Sequence, residues 1–548
     1  NHSVVLNHCA VQKAIWQFAF MNGAMIQKNG ANIEVSMLGT RIDVATLAQT
    51  NWDLVVIGGG ITGAGVLLEA LRQMGQMGQT GQGKKVLLLE QKDFAWGTSS
   101  RSSKMVHGGI RYMAQGDFRL VRESLHERER LLTELPDLVV RQPYLFVVRA
   151  RQFPSRWAMK PIMWLYDRFA GIRDHQWWSI SRLIQRVPQL DATQLTGAMY
   201  YTDALVDDAR LVLRVLHEAV LEGGQVCNYM RVNQISAHDA GGFELDVRDE
   251  LSQSQSTLRT QAVVNATGAQ ADELSGTQKK VRPCRGSHLL IEHARLPMIE
   301  SLTILHLRDQ RPVFVYPWMG MTCIGTTDLD HTDDLAHEAR CTDQEVDYLL
   351  ELMHAAFPTA QIVREDIVSS FAGVRPIIAS GKGVHPSQER RSHSVWTHHG
   401  VVTVSGGKLT TFRVIAHDVL RALGWIDENQ QRALRDTHER LFRHDVIFPN
   451  DLGNPKKVIE FNPAFLQTIE WVMQHEMVVD LDDVFLRRTR FGNTQRNGGY
   501  EYLPQIRTVC QKYLAWNDAR WDAEQARYLE MIQTHYSPPK AHTSILDE

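Results

Sequence analysis

DLVVIGGGITGAGVLLEALRQM, residues 53–74, decides how this chain is read. Residues 53–57 are a short apolar run of the kind that forms a buried strand, glycines follow, and from Ile61 the apolar residues recur at helical spacing. Gly58, Gly60 and Gly63 satisfy the pattern G-x-G-x-x-G. Glycine at the first position permits a tight turn, at the second it lets a pyrophosphate approach the backbone, and at the third it lets helix and strand pack closely. The helix N-terminus then offers N–H donors and partial positive charge to phosphate. A second buried strand is expected in KKVLLLEQ (84–91), where Glu90 stands to accept hydrogen bonds from ribose hydroxyls. Glu90 lies 27 residues beyond Gly63, where about 20 is usual. The Gly-Gln repeat QMGQMGQTGQG (73–83), read as a loop, accounts for the excess. Together these features indicate a dinucleotide site, although the acidic residue does not distinguish NAD from FAD.

The remainder of the 548 residues is globular in character, with 43% hydrophobic content and room for two to four domains of roughly 150 residues. Its 59 basic and 62 acidic side chains nearly cancel, which favours neither nucleic acid nor an acidic partner. The six cysteines form no C-x-x-C pair, so no disulfide framework or cysteine zinc site is indicated, and a reducing compartment fits best. No metal is expected: the acidic run 328–334 lacks the glycine and glutamate of a calcium loop, and His398-His399 lacks ligand spacing. No apolar run reaches the eighteen or so residues that span a bilayer. Residues 1–50 read as an extension outside the core, with the short run AIWQFAFM (14–21) lacking the features of a secretory signal.

Further strands are expected in residues 242–249, 262–268, 288–292, 313–318 and 401–407, and a helix in 206–224. Beyond about residue 425 the strand signals cease, 463–533 reads as mostly helical and 537–548 as a loose tail. Between Arg141 and Arg182 eight arginines or lysines stand against two aspartates, and four of the 13 tryptophans fall there. Within it, SRWAMKPIMWLYDRFAGIR (155–173) mixes aromatic rings with Arg156, Lys160, Arg168 and Arg173, the composition of a helix lying on an anionic lipid surface. A helix packed on its own domain has the same composition.

GGGITGAG, GTSSRSSKMVHGGIRYM, VDDARLVL, VNATG, RGSHLLI, IGTTD, AGVRPI and SGGKLTTFR occur in an order that resembles the FAD-dependent glycerol-3-phosphate dehydrogenases, relatives of the glycine and D-amino-acid oxidases. The match covers about residues 51–420, and 476–492 resembles the family's C-terminal helical domain. The resemblance implies an α/β fold with three parts. They are a Rossmann-like FAD-binding domain with an interleaved antiparallel-sheet substrate domain over 51–424, and a C-terminal, mostly helical domain over 425–548. It implies FAD as cofactor, touched by Thr98, Ser99, Ser100 and the Thr267-Gly268 turn. Gly406, Gly407, Lys408, Leu409, Thr410 and Thr411 would lie near the isoalloxazine, where a helix N-terminus and a lysine cation stabilise negative charge.

Alone, His107 and Arg111 would read as a structural histidine and a solvated arginine, and the glycines between them argue against a regular helix. The resemblance makes Arg111 a substrate-anion contact and His107 a candidate base. Arg375 precedes Pro376, which restricts its backbone to extended conformations, and its planar fork suits a phosphate dianion. Arg391 matches a second family arginine, with Arg390 leaving the register open by one, and His288 matches a substrate-domain position. The activity implied is oxidation of sn-glycerol 3-phosphate to dihydroxyacetone phosphate by hydride transfer to flavin N5. Electrons would pass to a membrane quinone from a peripheral position on the cytoplasmic face of the bacterial inner membrane. A flavin oxidase using O2, on the same substrate or an amino acid, and a catalytically idle FAD-binding scaffold are the alternatives. A homodimer is compatible with either.

Overall fold

The computed structural model describes residues 26–28, 31–33, 38–77, 85–114, 116–276, 279–379, 389, 392–446 and 448–539. Its centre is the strand Asn51–Ile57, whose last residues are buried on both faces, as the near-continuous apolar run of a parallel strand requires. It pairs in parallel with Val86–Leu89 on one side, Val55 opposite Leu87, and with Gln255–Asn265 on the other, Val55 opposite Val263. Gln225–Cys227 extends the sheet beyond the first neighbour and Val401–Ser405 beyond the second. The five parallel strands therefore lie in the order third, second, first, fourth, fifth along the chain, which is the doubly wound dinucleotide-binding order. Gln255–Asn265 is shared: its first half pairs antiparallel with Phe243–Asp249, which leads to Met230–Ala237, while its end meets Val401–Ser405.

The glycine turn joins this sheet to the helix Ile61–Met77 by backbone contact alone. A Cβ on Gly63 would stand 1.8 Å from the Gly58 carbonyl oxygen, and one on Gly58 would stand 2.5 Å from the Ala266 carbonyl. The helix runs through Met77, so the first residues of the Gly-Gln repeat are helical rather than a loop; Gln and Met are good helix formers, and they outweigh one glycine. The rest of the repeat, 78–83, lies outside the described residues.

Helices Ile61–Met77, Asp208–Leu221 and Phe412–Ala422 share one core with the sheet. Asp208–Leu221 starts at Asp207, whose side chain accepts from the Arg210 N–H. Ile426, Leu441 and Phe442 belong to this same core, so the boundary expected at residue 425 cuts through it. The opposite face is covered by the short helix Val44–Ala48, with Val44 and Leu47 buried against Val55 and Leu87. Residues 38–50, which the sequence places in an extension, are thus packed: Leu38 is buried, and Arg41 clasps Asp249 with both terminal nitrogens. Residues 1–25 lie outside the described residues.

The second layer is a ten-stranded, largely antiparallel sheet. Two long pairs dominate it, Val139–Arg149 with Leu195–Val206 and Val281–Glu292 with Ile367–Ile378. One parallel pair, Ser301–Leu305 beside Val139–Arg149, ties them into one sheet. The C-terminal part is helical, with Pro463–His475, Leu503–Leu514 and Asp518–Met531 linked by shorter turns. Among the described residues no helix is long and apolar enough to cross a membrane.

The 1.8 Å approach at Gly63 predicts that Gly63→Ala destabilises the protein by at least about 2 kcal/mol, because backbone rather than a side chain must move. Gly97 is the contrast in space alone: its Cβ would meet nothing within 4 Å, but its φ −74, ψ −138 lies outside the ordinary α and β regions, so Gly97→Ala costs about 1 kcal/mol through backbone strain, less than Gly63→Ala. Thermal unfolding of the two variants checks the pair.

Candidate active site

A cavity of about 750 Å3 opens at the carboxyl ends of Asn51–Ile57 and Gln255–Asn265, where the strand order reverses. Gly58, Gly60, Ile61 and Glu90 line one end of it. A Cβ on Gly60 would stand 3.0 Å from Ser99 Oγ in the opposite wall, and Ser99 Oγ accepts the Ile61 N–H at 3.0 Å. Glu90, half-buried, accepts the Gly59 N–H at 2.6 Å and the Lys92 N–H at 2.9 Å, while burial raises its pKa. These hydrogen bonds to Glu90 and Ser99 fix the shape of the turn.

Thr98, Ser99, Thr267 and Gly268 also line the cavity. Thr98 donates its hydroxyl to the Val374 carbonyl, which ties this wall to the second sheet. Thr267 donates both its N–H and hydroxyl to Asn265 Oδ1, and the Gly268 carbonyl accepts Ser405 Oγ at 2.8 Å. Ser100, expected to touch cofactor, is buried and absent from the cavity wall; its carbonyl faces Lys104 and Arg490 instead. At the far end stand Gly406, Gly407, Lys408, Leu409 and Thr410, where the turn Leu409–Thr411 runs into the helix Phe412–Ala422; Thr411 is buried behind them.

The donor set fits FAD. An acidic residue at the end of the second strand suits the ribose, and the bare glycine turn at a helix N-terminus suits the pyrophosphate. A second helix start with Lys408 beside it suits the flavin pyrimidine.

Lys408 leads to the remaining residues. Its Nζ lies 3.1 Å from Ser124 Oγ, 3.4 Å from the Gly108 carbonyl and 4.0 Å from the centre of the Tyr112 ring. Burial lowers its pKa to about 7, against the opposing pull of Asp203, Asp117 and Glu123. His107, also in the cavity wall, has its pKa lowered to about 4 by burial and then by the Lys408 charge, so its imidazole is neutral near pH 7. Arg111 lies in the helix Ile110–Ala114 just after, and its side chain is outside the described residues.

Arg375 reaches the cavity from the strand Ile367–Ile378. Its NH1 lies 3.0 Å from Asp328 Oδ1 and its NH2 2.7 Å from Thr326 Oγ1, which orients the plane of the fork. Arg391 falls outside the described residues. His288 is not in the cavity wall: it is fully buried, stacked on Phe371 at 4.7 Å, and its Nε2 meets Ser103 Oγ at 2.9 Å. It therefore stands behind the wall and acts on it through Ser103, which does line it.

Three neighbours went unread in the sequence. Asp203 accepts the Tyr166 hydroxyl at 2.7 Å, the Gly108 N–H at 3.2 Å and Arg128 NH1 at 2.5 Å, fixing the turn beside His107. The signal available was an aspartate inside the apolar run GAMYYTDALV. Arg311 and Asp328, both in the wall, make a second charge pair at 3.6 Å beside Arg375. Asp328 ends the motif IGTTD and opens the acidic run 328–334, which marked it without giving it a role, and no local pattern marks Arg311.

The comparisons with known proteins agree with this fold. Residues 53–413 match the FAD dependent oxidoreductase family, and 445–521 match the C-terminal domain of alpha-glycerophosphate oxidase. The chain is 31% identical over 539 residues to glycerol-3-phosphate dehydrogenase 2 of Mycobacterium tuberculosis, covering 89% of each. It is 32% identical over 384 residues to the aerobic glycerol-3-phosphate dehydrogenase of Staphylococcus aureus, covering 68% of this chain and 67% of that one. Among solved structures, the FAD complex of the Bacillus halodurans glycerol-3-phosphate dehydrogenase shares the fold with a TM-score of 0.65 at 23% identity, over 89% of this chain and 95% of that one. The FAD-bound L-alpha-glycerophosphate oxidase of Mycoplasma pneumoniae gives 0.54 at 19%, over 69% and 96%. With the cradle for its cofactor formed as described, the chain belongs to the FAD-dependent oxidoreductases, in the family of the glycerol-3-phosphate dehydrogenases.

Proposed function

We propose that the protein oxidises sn-glycerol 3-phosphate to dihydroxyacetone phosphate and delivers the electrons to a membrane quinone from a peripheral position on the cytoplasmic face of the bacterial inner membrane. The observation that carries this reading is the convergence of Arg375, His107 and Lys408 on one cavity with the FAD cradle. FAD supplies the acceptor for the hydride leaving C2. Arg375, oriented by Asp328 and Thr326, binds the phosphate, with Arg111 and Arg391 assisting. His107, neutral near pH 7, takes the proton of the C2 hydroxyl; an anion bound in the same cavity raises its pKa and so favours that transfer. Lys408, held against Gly108 and Ser124, supplies positive charge where negative charge accumulates.

Two features support an acceptor in the membrane. The cavity continues past Phe146 and Phe314 to Met159 and Ile162 on the helix Arg156–Ala170. Beside that arm, Phe153, Trp157 and Trp164 are 76%, 74% and 62% exposed, an unusual display of large apolar rings in one place. The inner face of the helix is packed through Met159, Met163 and Tyr166, so a core role accounts for that face and leaves the outer one for lipid. A second reading, oxygen as acceptor, is favoured by the name of the C-terminal family model, which is that of an oxidase. Rapid peroxide formation in air without quinone would select it.

Anaerobic addition of glycerol 3-phosphate to the purified flavoprotein is expected to bleach the flavin absorbance. Absence of bleaching sinks the proposal, and bleaching by a D-amino acid instead selects the amino-acid oxidase reading. Arg375→Ala is expected to lower kcat/KM by about 100-fold, close to 2.7 kcal/mol, and an unchanged value removes Arg375 from the phosphate site. For the surface, reversing the charges of Arg156, Lys160 and Arg168 weakens binding to anionic vesicles and spares turnover with a soluble dye. Vesicle binding indifferent to both reversal and salt contradicts the electrostatic part.

A further inference from the structure

The segment 93–104 carries the front wall of the FAD site: Trp96, Gly97, Thr98, Ser99, Arg101, Ser102 and Ser103 all face the cavity. Its back is held by residues almost 400 positions later. Arg487 and Arg488, on the π-helical turn Asp483–Arg488, both reach Asp93 at the start of the segment. Arg488 does so with two nitrogens, NH1 to Oδ2 at 2.6 Å and NH2 to Oδ1 at 2.7 Å. Arg490 reaches the middle and the end of the segment. Its NH1 donates to the Ser100 carbonyl at 3.1 Å, its Nε to Asp207 at 2.8 Å, and its NH2 to Asp208. Asp208 in turn accepts the Ser102 N–H at 2.9 Å, the Ser102 hydroxyl at 2.7 Å and Lys104 Nζ at 2.9 Å. A fourth contact comes from the end of the helical region, where the Tyr536 hydroxyl accepts Arg101 Nε at 3.2 Å and NH2 at 3.0 Å.

These three arginines are 2% exposed or less, and none of them lines the cavity. Arg490 also holds a left-handed backbone at φ +63, which a non-glycine residue keeps only where its surroundings demand it. The segment it holds has two left-handed non-glycine residues of its own, Ala95 at φ +62 and Lys104 at φ +56. Two such residues in one short wall are strain that the contacts around it must offset.

We infer that the C-terminal helical region is a positioning device for the cofactor: Arg487, Arg488 and Arg490, with Tyr536, hold the segment 93–104 in the shape that receives FAD. The region then serves the chemistry without touching substrate or flavin, and its loss of grip is read first as loss of FAD.

The test uses the full-length holoenzyme and free-flavin fluorescence after dilution. Arg490→Met is expected to raise the FAD Kd by about tenfold or more, and Arg490→Lys recovers part of that loss. Arg72→Met is the control. It breaks a buried arginine cluster with Glu218 and Glu222, which touches no residue of the segment, and keeps the FAD Kd within about twofold of the parent. A folded Arg490→Met protein that retains FAD as the parent does, or an equal loss of FAD in Arg72→Met, overturns the proposal. Where Arg490→Met does not fold, Tyr536→Phe decides. It removes one hydroxyl and is expected to speed FAD release by about threefold at an unchanged thermal midpoint of the apoprotein; unchanged release overturns the proposal.

Discussion

Among the described glycines the least room is at Gly63 in the helix Ile61–Met77, where a Cβ would stand 1.8 Å from the Gly58 carbonyl oxygen at the end of the strand Asn51–Ile57. No side chain fits between them, so the helix sits directly on the strand end with its N-terminus at the cavity. Gly58 in turn leans on the Ala266 carbonyl, bringing the fourth strand, and with it Thr267 and Gly268, to the same place. Gly59 receives Glu90 from the second strand. Three strands distant in sequence therefore end at one point because the turn between them has almost no volume. The cofactor cradle is the space that this compression leaves on the carboxyl side of the sheet.

Around that point the protein is held by charges removed from water. Arg128, Arg210, Arg413, Arg487, Arg488 and Arg490 are all nearly or fully buried, and each meets a carboxylate. Several of the partners come from far along the chain, as with Arg210 and Glu476 or Arg413 and Glu127. Desolvating a guanidinium is expensive, and removing one partner of such a pair typically destabilises by about 3–5 kcal/mol. An apolar interface of the same area tolerates small shifts in docking, whereas a bidentate ion pair does not. The ion pairs therefore fix where the helical region and the two sheets stand relative to one another, which is what a site assembled from all of them needs.

The division between what the sequence revealed and what it hid follows from this. The strand, turn and helix at 51–77 are a local pattern in which each residue type has a local cause, and the fold class followed from it together with the ordered family motifs. Glu90, Thr98, Ser99, Thr267 and residues 406–410 were legible because they sit at strand ends or helix starts, where sequence marks a boundary. Ser100 and His288 show the limit: both stand behind the cavity wall, because which way a side chain faces depends on Lys104, Arg490, Ser103 and Phe371, none of which is predictable by spacing. Asp203 and Arg128 are 75 residues apart, and Arg375 on the strand Ile367–Ile378 meets Asp328 in the segment just before Leu329–Asp330. The boundary at 425 failed for a related reason, since Leu441 and Phe442 return to the first core after strand signals have stopped.

The strand order carries a consequence for how the chain is made. Gln255–Asn265 is the hinge of the first sheet, with the meander on its first half and Val401–Ser405 beside its end. A ribosome that has released residues up to about 300 has supplied four of the five parallel strands, yet the last arrives only when residue 405 emerges, and the later strands of the second sheet, from Val281 to Ile378, lie between. Contacts of such long separation form late and slowly. Until then the nascent chain exposes an unpaired parallel edge beside a half-built cradle, so the interval between residues 265 and 405 is the part of its synthesis most in need of protection from other chains.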